Sequence, residues 1–242
     1  MGRIDCPQSH TNPQQHLQQH LQQQGPRRFR ACCGTCRSGR FCRGTLKRLL
    51  DIWGAIVLLP LIVPLILVLG LLVMRDGGAP FYGHTRIGQG GRAFKCWKLR
   101  SMVPQSQQHL RSHLADDPRA QAEWTAHFKL SEDPRITPFG QMLRRTSLDE
   151  LPQIWNVLRG EMSFVGPRPV TRSELRMYGG ALEHYLALRP GITGLWQVSG
   201  RNRLNYEQRV LLDVEYARTC GLAQDARILL RTLPALFLRP GR

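Results

Sequence analysis

The stretch RRTSLDELPQIWNVLRGEMSFVGPRP, residues 144–169, decides how the chain is read. Ser147 stands where an N-cap belongs, and Glu150 three residues later completes a capping box. Leu151, Ile154, Trp155 and Leu158 recur at i, i+3, i+4 and i+7, which predicts one apolar face of a short helix that Gly160 ends. Asp149 and Glu150 then fall in the first helical turn, where backbone N–H groups and the macrodipole favour negative charge. Beyond the helix, Gly166-Pro167-Arg168-Pro169 holds an arginine between two prolines. Their fixed φ and missing N–H groups present the guanidinium at low entropic cost.

Two readings of the acidic pair are open. In one, both carboxylates only stabilise a helix start. In the other, Asp149 is a carboxylate nucleophile and Glu150 holds a metal ion beside it. Adjacent carboxylates among Arg144, Arg145, Arg159 and Arg168 suit phosphoryl chemistry, where a protein mainly positions groups and neutralises charge. Spacing alone does not choose between them.

Composition narrows the partners. A chain of 242 residues holds one good-sized domain plus appendages. A net charge of +17 and a pI near 10.7 call for an anionic partner: nucleic acid, phosphates or an acidic membrane surface. The excess is almost wholly arginine, the four lysines being Lys47, Lys95, Lys98 and Lys129. Arginine suits bidentate phosphate contacts, although a GC-rich genome produces the same bias. Seven cysteines in a chain this long do not make a disulfide scaffold, and Cys33-x-x-Cys36 is half a zinc site with no second half.

Residues 1–24, rich in Gln and His, cannot bury a core. From Arg27 to Arg48 come eight basic residues and no acidic one, as in a nucleic-acid arm or a cytoplasmic membrane flank. The next stretch favours the flank. Ile52–Met74 is uncharged and long enough to span a bilayer, and lies too far from the N-terminus for a cleavable signal. Pro60 and Pro64 fall inside it, and each removes a backbone hydrogen bond.

Further on, residues 79–87 and 92–99 flank Gly88-Gln89-Gly90-Gly91 and read as a β-hairpin. The glycines lack the Gly-Lys-Ser/Thr of a phosphate loop. Lys98 and Arg100 leave the second strand on one face, a spacing that would suit a pyrophosphate, although on the residues alone they read as solvated. Residues 105–130 read as helix broken near Pro118, where His109 and His113 lack the glutamate of a helical zinc site. Helical patterns follow at 172–188, 206–218 and 225–238, with a Gly- and Pro-punctuated loop at 189–203. The fold class is α+β and helix-rich.

Ser147-Leu148-Asp149-Glu150-Leu151-Pro152-Gln153, followed by residues 156–169, resembles the signature of the bacterial sugar transferases. These are monotopic phosphoglycosyl transferases, which move a sugar-1-phosphate from a nucleotide sugar onto a polyprenyl phosphate. The likeness continues in Lys98-Leu99-Arg100-Ser101-Met102, in Asp133-Pro134-Arg135-Ile136-Thr137, in Arg189-Pro190-Gly191-Ile192-Thr193-Gly194 and in Trp196-Gln197-Val198-Ser199-Gly200-Arg201. It runs in order from about Lys47 to the C-terminus.

That resemblance implies a disordered basic tail (1–46), a re-entrant membrane helix (47–75) and a small mixed catalytic domain with amphipathic interfacial helices (76–242). Pro64 would bend the helix back into the same leaflet, although Val63 stands where the family usually has a small polar residue. The chain would then be monotopic on the cytoplasmic face of the bacterial inner membrane. Asp149 would attack the sugar-bearing phosphorus of a UDP-sugar and release UMP, and undecaprenyl phosphate would take the sugar phosphate from the resulting phosphoaspartate. Glu150 would hold Mg²⁺, and Arg168, with Arg100, Arg144 and Lys98, would bind the phosphates. The C-terminal half is similar to exopolysaccharide-initiating members, which implies a hexose such as galactose or glucose, and no nucleic-acid partner is expected. Two alternatives stay open. One is direct transfer in a ternary complex with Asp149 as base. The other is a membrane-tethered basic protein that binds acidic lipid or nucleic acid.

Overall fold

The long apolar stretch forms one helix, α1 (Thr45–Met74), with both prolines inside it. The structure is a computed structural model that describes residues 44–127, 130, 132–200 and 204–238. The tail with its Cys and His clusters, and also Phe128 and Arg201, lies outside the described residues. After α1 come the strands β1 (Phe81–Ile87) and β2 (Ala93–Leu99), then α2 (Ser106–Asp116), α3 (Pro118–His127) and α4 (Pro138–Thr146). Helix α5 (Gln153–Arg159), β3 (Ser163–Val165), α6 (Leu182–Leu186), β4 (Gly191–Thr193) and α7 (Leu195–Ser199) follow. Two longer helices, α8 (Tyr206–Thr219) and α9 (Leu222–Leu238), close the described chain. The helix-rich α+β expectation is met by one long apolar helix followed by a small mixed domain.

The predicted hairpin forms. β1 and β2 are antiparallel, from Phe81↔Leu99 to Ile87↔Ala93, around a turn in which Gly90 and Gly91 take positive φ. β3 and β4 pair in parallel, Ser163↔Gly191 and Val165↔Thr193. A Cβ on Gly191 would lie 2.1 Å from the Gly166 nitrogen, so the Arg168 loop can approach β4 only because both positions are glycine. Gly191 N–H donates to Pro167 O at 2.8 Å, and Ile87 N–H to Val170 O at 2.9 Å, which ties the loop to both sheets.

The start of the 147–160 segment differs from its expected form. Ser147 has left-handed backbone, φ 59°, and closes α4, and its side chain makes no cap hydrogen bond. No capping box forms. Leu148–Glu150 is instead a single 3₁₀ turn, and Pro152 separates it from α5, which Gly160 ends at φ 81° as expected. The face that α5 buries is also different: Gln153, Ile154, Asn156 and Val157 are inside while Trp155 is 51% exposed. Asn156 explains the shift. Its amide oxygen accepts from Trp97 N–H at 3.1 Å, and its nitrogen donates to Lys95 O at 2.7 Å and Glu161 Oε2 at 2.6 Å. The side chain thus continues β2's edge hydrogen bonding, and α5 turns its polar side inward to do so.

α1 packs on this domain at both ends. Lys47 pairs with Asp225 of α9, Arg48 donates to the carbonyls of Val157 and Leu158 that end α5, and Asp51 Oδ1 accepts from Ser163 Oγ at 3.0 Å. Lys47 and Arg48 are therefore structural ties rather than a solvated flank. At the far end, Leu69 and Val73 pack with Leu99 and Leu143. Between them an apolar face stays exposed, including Trp53 (67%), Leu61 (71%) and Leu67 (60%).

Candidate active site

The hairpin forms one wall of a large cavity. Alternation along the strands sends Tyr82, His84 and Arg86 of β1, and Cys96 and Lys98 of β2, to the same face. That face lines a cavity of about 1000 Å³, while Thr85, Lys95 and Trp97 face a separate groove on the other side. Opposite the hairpin wall stand the 3₁₀ turn with Asp149 and Glu150, the start of α5, the Arg168 loop and α7. Ile62 of α1 lines the same cavity, so the apolar helix reaches the polar site.

Asp149 and Glu150 sit together under Lys98. The ammonium lies 2.6 Å from Glu150 Oε1 and 3.6 Å from Asp149 Oδ2. Asp149 is 7% exposed, and burial pushes its carboxyl above the ordinary carboxylate range. Lys98 and Arg144 oppose that shift and Glu150 adds to it. Burial works against the charge of Lys98 too, but Glu150 and Asp149 outweigh it and hold its pKa above the usual value. Arg144 lines the cavity and is held by its Nε donating to Ser101 Oγ at 2.8 Å. The approach is close because Gly140 of α4, whose Cβ would lie 2.0 Å from Ser101 O, lets the helix rest on that strand end.

Arg168 is exposed at the tip of its loop and stacks over Trp196, 5.4 Å from the ring centre, with Arg209 over the same ring at 4.9 Å. Arg100 is placed differently. Its guanidinium pairs with Asp76 and donates to Ala79 O at 2.7 Å, Val73 O at 3.0 Å and Met102 O at 3.3 Å. It borders the cavity, yet its donors latch the end of α1 to the hairpin. Pro64 lies within α1, away from the cluster. Asp149, Glu150, Lys98, Arg144 and Arg168 are therefore brought to one cavity, with Arg100 at its edge.

Several lining residues were not among the candidate site residues. His84 has its pKa lowered by burial and by Arg86 and Lys98, so an uncharged imidazole faces the cavity. Trp196 carries two guanidinium groups, and Gln153 is 2% exposed in the wall beside Asp149. Strand alternation could have placed His84 once the hairpin face was known. The other two lie in stretches that carry the family resemblance, but no charge or spacing marked them as site residues.

Comparison with known proteins supplies the family. The model of the bacterial sugar transferases matches residues 42–239. A UDP-galactose-lipid carrier transferase of Erwinia amylovora is 52% identical over 196 residues, covering 81% of this chain and 41% of that protein. An undecaprenyl-phosphate galactose phosphotransferase of Salmonella typhimurium is 49% identical over 205 residues, covering 85% and 42%. The exopolysaccharide production protein ExoY of Sinorhizobium fredii is 48% identical over 199 residues, covering 82% and 88%. The chain thus spans about two fifths of the first two relatives and most of the third. A match of this extent takes in α1, the Asp149–Glu150 turn and the Arg168 loop together, and the chain belongs to the bacterial sugar transferase family.

Proposed function

We propose that the chain transfers a hexose-1-phosphate from a UDP-sugar to undecaprenyl phosphate at the cytoplasmic face of the inner membrane, as a first step of exopolysaccharide synthesis. The observation that carries this is the placement of Asp149: a buried carboxylate in a cationic cavity that the apolar helix also lines. A helix cap has no need of that burial, and the capping geometry is absent. The names of the relatives, which specify galactose or exopolysaccharide production, support a hexose and the lipid carrier.

In the first half-reaction an oxygen of Asp149 attacks the sugar-bearing phosphorus. A P–O bond forms to the carboxylate as the bond to the UMP oxygen breaks, and the electron pair leaves with UMP. In the second, an oxygen of undecaprenyl phosphate attacks the same phosphorus, the aspartyl P–O bond breaks, and the carboxylate is restored. Lys98, Arg144 and Arg168 offset the charge that would otherwise keep two anions apart. Two adjacent carboxylates opening on a cavity fit an ion that keeps most of its waters and shares substrate phosphates. Mg²⁺ is such an ion, Glu150 is the residue to hold it, and bound there it would screen phosphate charge.

α1 supports the monotopic placement. Both its ends contact one domain, so carrying them to opposite faces of a bilayer would draw that domain into the hydrocarbon.

The test is UMP release by membranes carrying the protein, given undecaprenyl phosphate and UDP-hexoses. Asp149→Asn should lower turnover by roughly a thousandfold or more, with no recovery at raised Mg²⁺. Glu150→Gln should also be severe but partly recovered by Mg²⁺. Without acceptor, a labelled sugar phosphate should be trapped on Asp149. Failure to trap it with turnover intact would favour direct transfer, and near-normal turnover in a folded Asp149→Asn protein would exclude the nucleophile.

A further inference from the structure

Helix α5 carries two buried amides, and only one of them serves the fold. Asn156, fully buried, spends its amide on Trp97, Lys95 and Glu161. Gln153, the first residue of α5, is 2% exposed, and its side chain makes no hydrogen bond to any described residue. It lines the same cavity as Asp149, Glu150 and Lys98, and lies four residues after Asp149. Its amide nitrogen and oxygen are not among the sealed polar atoms of the described residues, so they open onto the cavity rather than into the packed wall. No hydrogen bond within the described fold engages this amide, which leaves it available to a ligand in the cavity.

We infer that the Gln153 amide contacts the phosphoryl group being transferred, its Nε2–H donating to a non-bridging oxygen. The inference rests on the transfer reaction proposed above. A neutral donor suits this place. It stabilises negative charge on the phosphoryl oxygens without repelling Lys98 or Arg144, and without altering the charge that Asp149 needs for attack. A second lysine or arginine would do both.

The test uses full-length protein in membranes, with UMP release from UDP-galactose and UDP-glucose and thermal unfolding in detergent. Gln153→Met should unfold at the same temperature as the parent or higher, while kcat/KM falls by roughly a hundredfold, as when one preorganised donor is removed. The loss should be similar for both sugars, because the phosphoryl group is common to them. Gln153→Glu keeps the shape but faces the phosphoryl group with a carboxylate, so its loss should be larger than that of the methionine variant. Should Gln153→Met fail to fold, the glutamate variant decides: turnover near the parent's would overturn the contact. A loss confined to one hexose would place the amide at the sugar and overturn it as well. Asp149→Asn, run alongside, separates the two ideas. If it retains turnover the underlying reaction is misassigned, whereas a dead Asp149→Asn with an unimpaired Gln153→Met refutes only this contact.

Discussion

Burial works against the charge of Asp149. Desolvation and Glu150 raise its pKa, and Lys98 at 3.6 Å is the leading opposing group, ahead of Arg144. In the proposed role of nucleophile Asp149 must be ionised, so turnover should fall as pH falls through that raised pKa. Lys98→Met removes the main opposing charge and leaves the two carboxylates facing each other. Its acid limb should move to higher pH, and turnover at neutral pH should drop by roughly tenfold or more. A pH–rate profile of UMP release measures both, and a limb that stays in place would take Lys98 out of the titration. At this scale much of the site was legible. Asp149, Glu150, Lys98, Arg144 and Arg168 carry charge, and charge in a phosphate-like pattern draws notice wherever it falls. Gln153 and Trp196 sit inside stretches that carry the family resemblance, yet like His84 they are neutral side chains whose place in the wall depends on burial and partners. Arg100 was the converse: its charge drew notice, while its donors went to carbonyls that no sequence pattern reveals.

Among the elements, the hairpin, the break at Pro118 and the helix end at Gly160 followed from turn chemistry, which is local. What is not local departs from the spacing. The Ser147–Glu150 spacing fits a capping box, but α4 already ends on Ser147, and its left-handed backbone leaves no N-cap geometry for a following helix. The inward turn of α5 came from Asn156 bonding a strand about sixty residues earlier in the chain. The ties of α1 are of the same kind. Lys47 and Asp225, with side chains 7% and 11% exposed, are far apart in sequence, and Tyr216 OH donates to the other Asp225 oxygen at 2.7 Å. Losing one partner leaves a buried charge alone, so Asp225→Asn should cost about 3 kcal/mol or more. Lys47→Met combined with Asp225→Asn should recover part of that, because the orphaned ammonium goes too. Heat unfolding in detergent compares them, and a single variant as stable as the parent would mean that the pair does not anchor α1.

For the whole molecule, the question is where α1 puts its ends. Thirty helical residues extend about 45 Å if straight, more than the roughly 30 Å of bilayer hydrocarbon. Length alone therefore permits a span, and the prolines alone permit a kink. Contacts with the domain are more restrictive. The first turns of α1 bond Asp225 and Ser163, and its last turns pack on Leu99 and Leu143, all within one body of structure. With the exposed apolar face between them, the arrangement suits a helix that dips into one leaflet and returns. Arg75, exposed just beyond α1, is the position at which to ask. In Arg75→Cys, a membrane-impermeant thiol reagent should add no label over the parent in intact cells, and should add it once the inner membrane is opened. Labelling in intact cells would mean a full crossing. The cavity with Asp149 would then face away from cytoplasmic nucleotide sugars, and the proposed transfer would fail together with the topology.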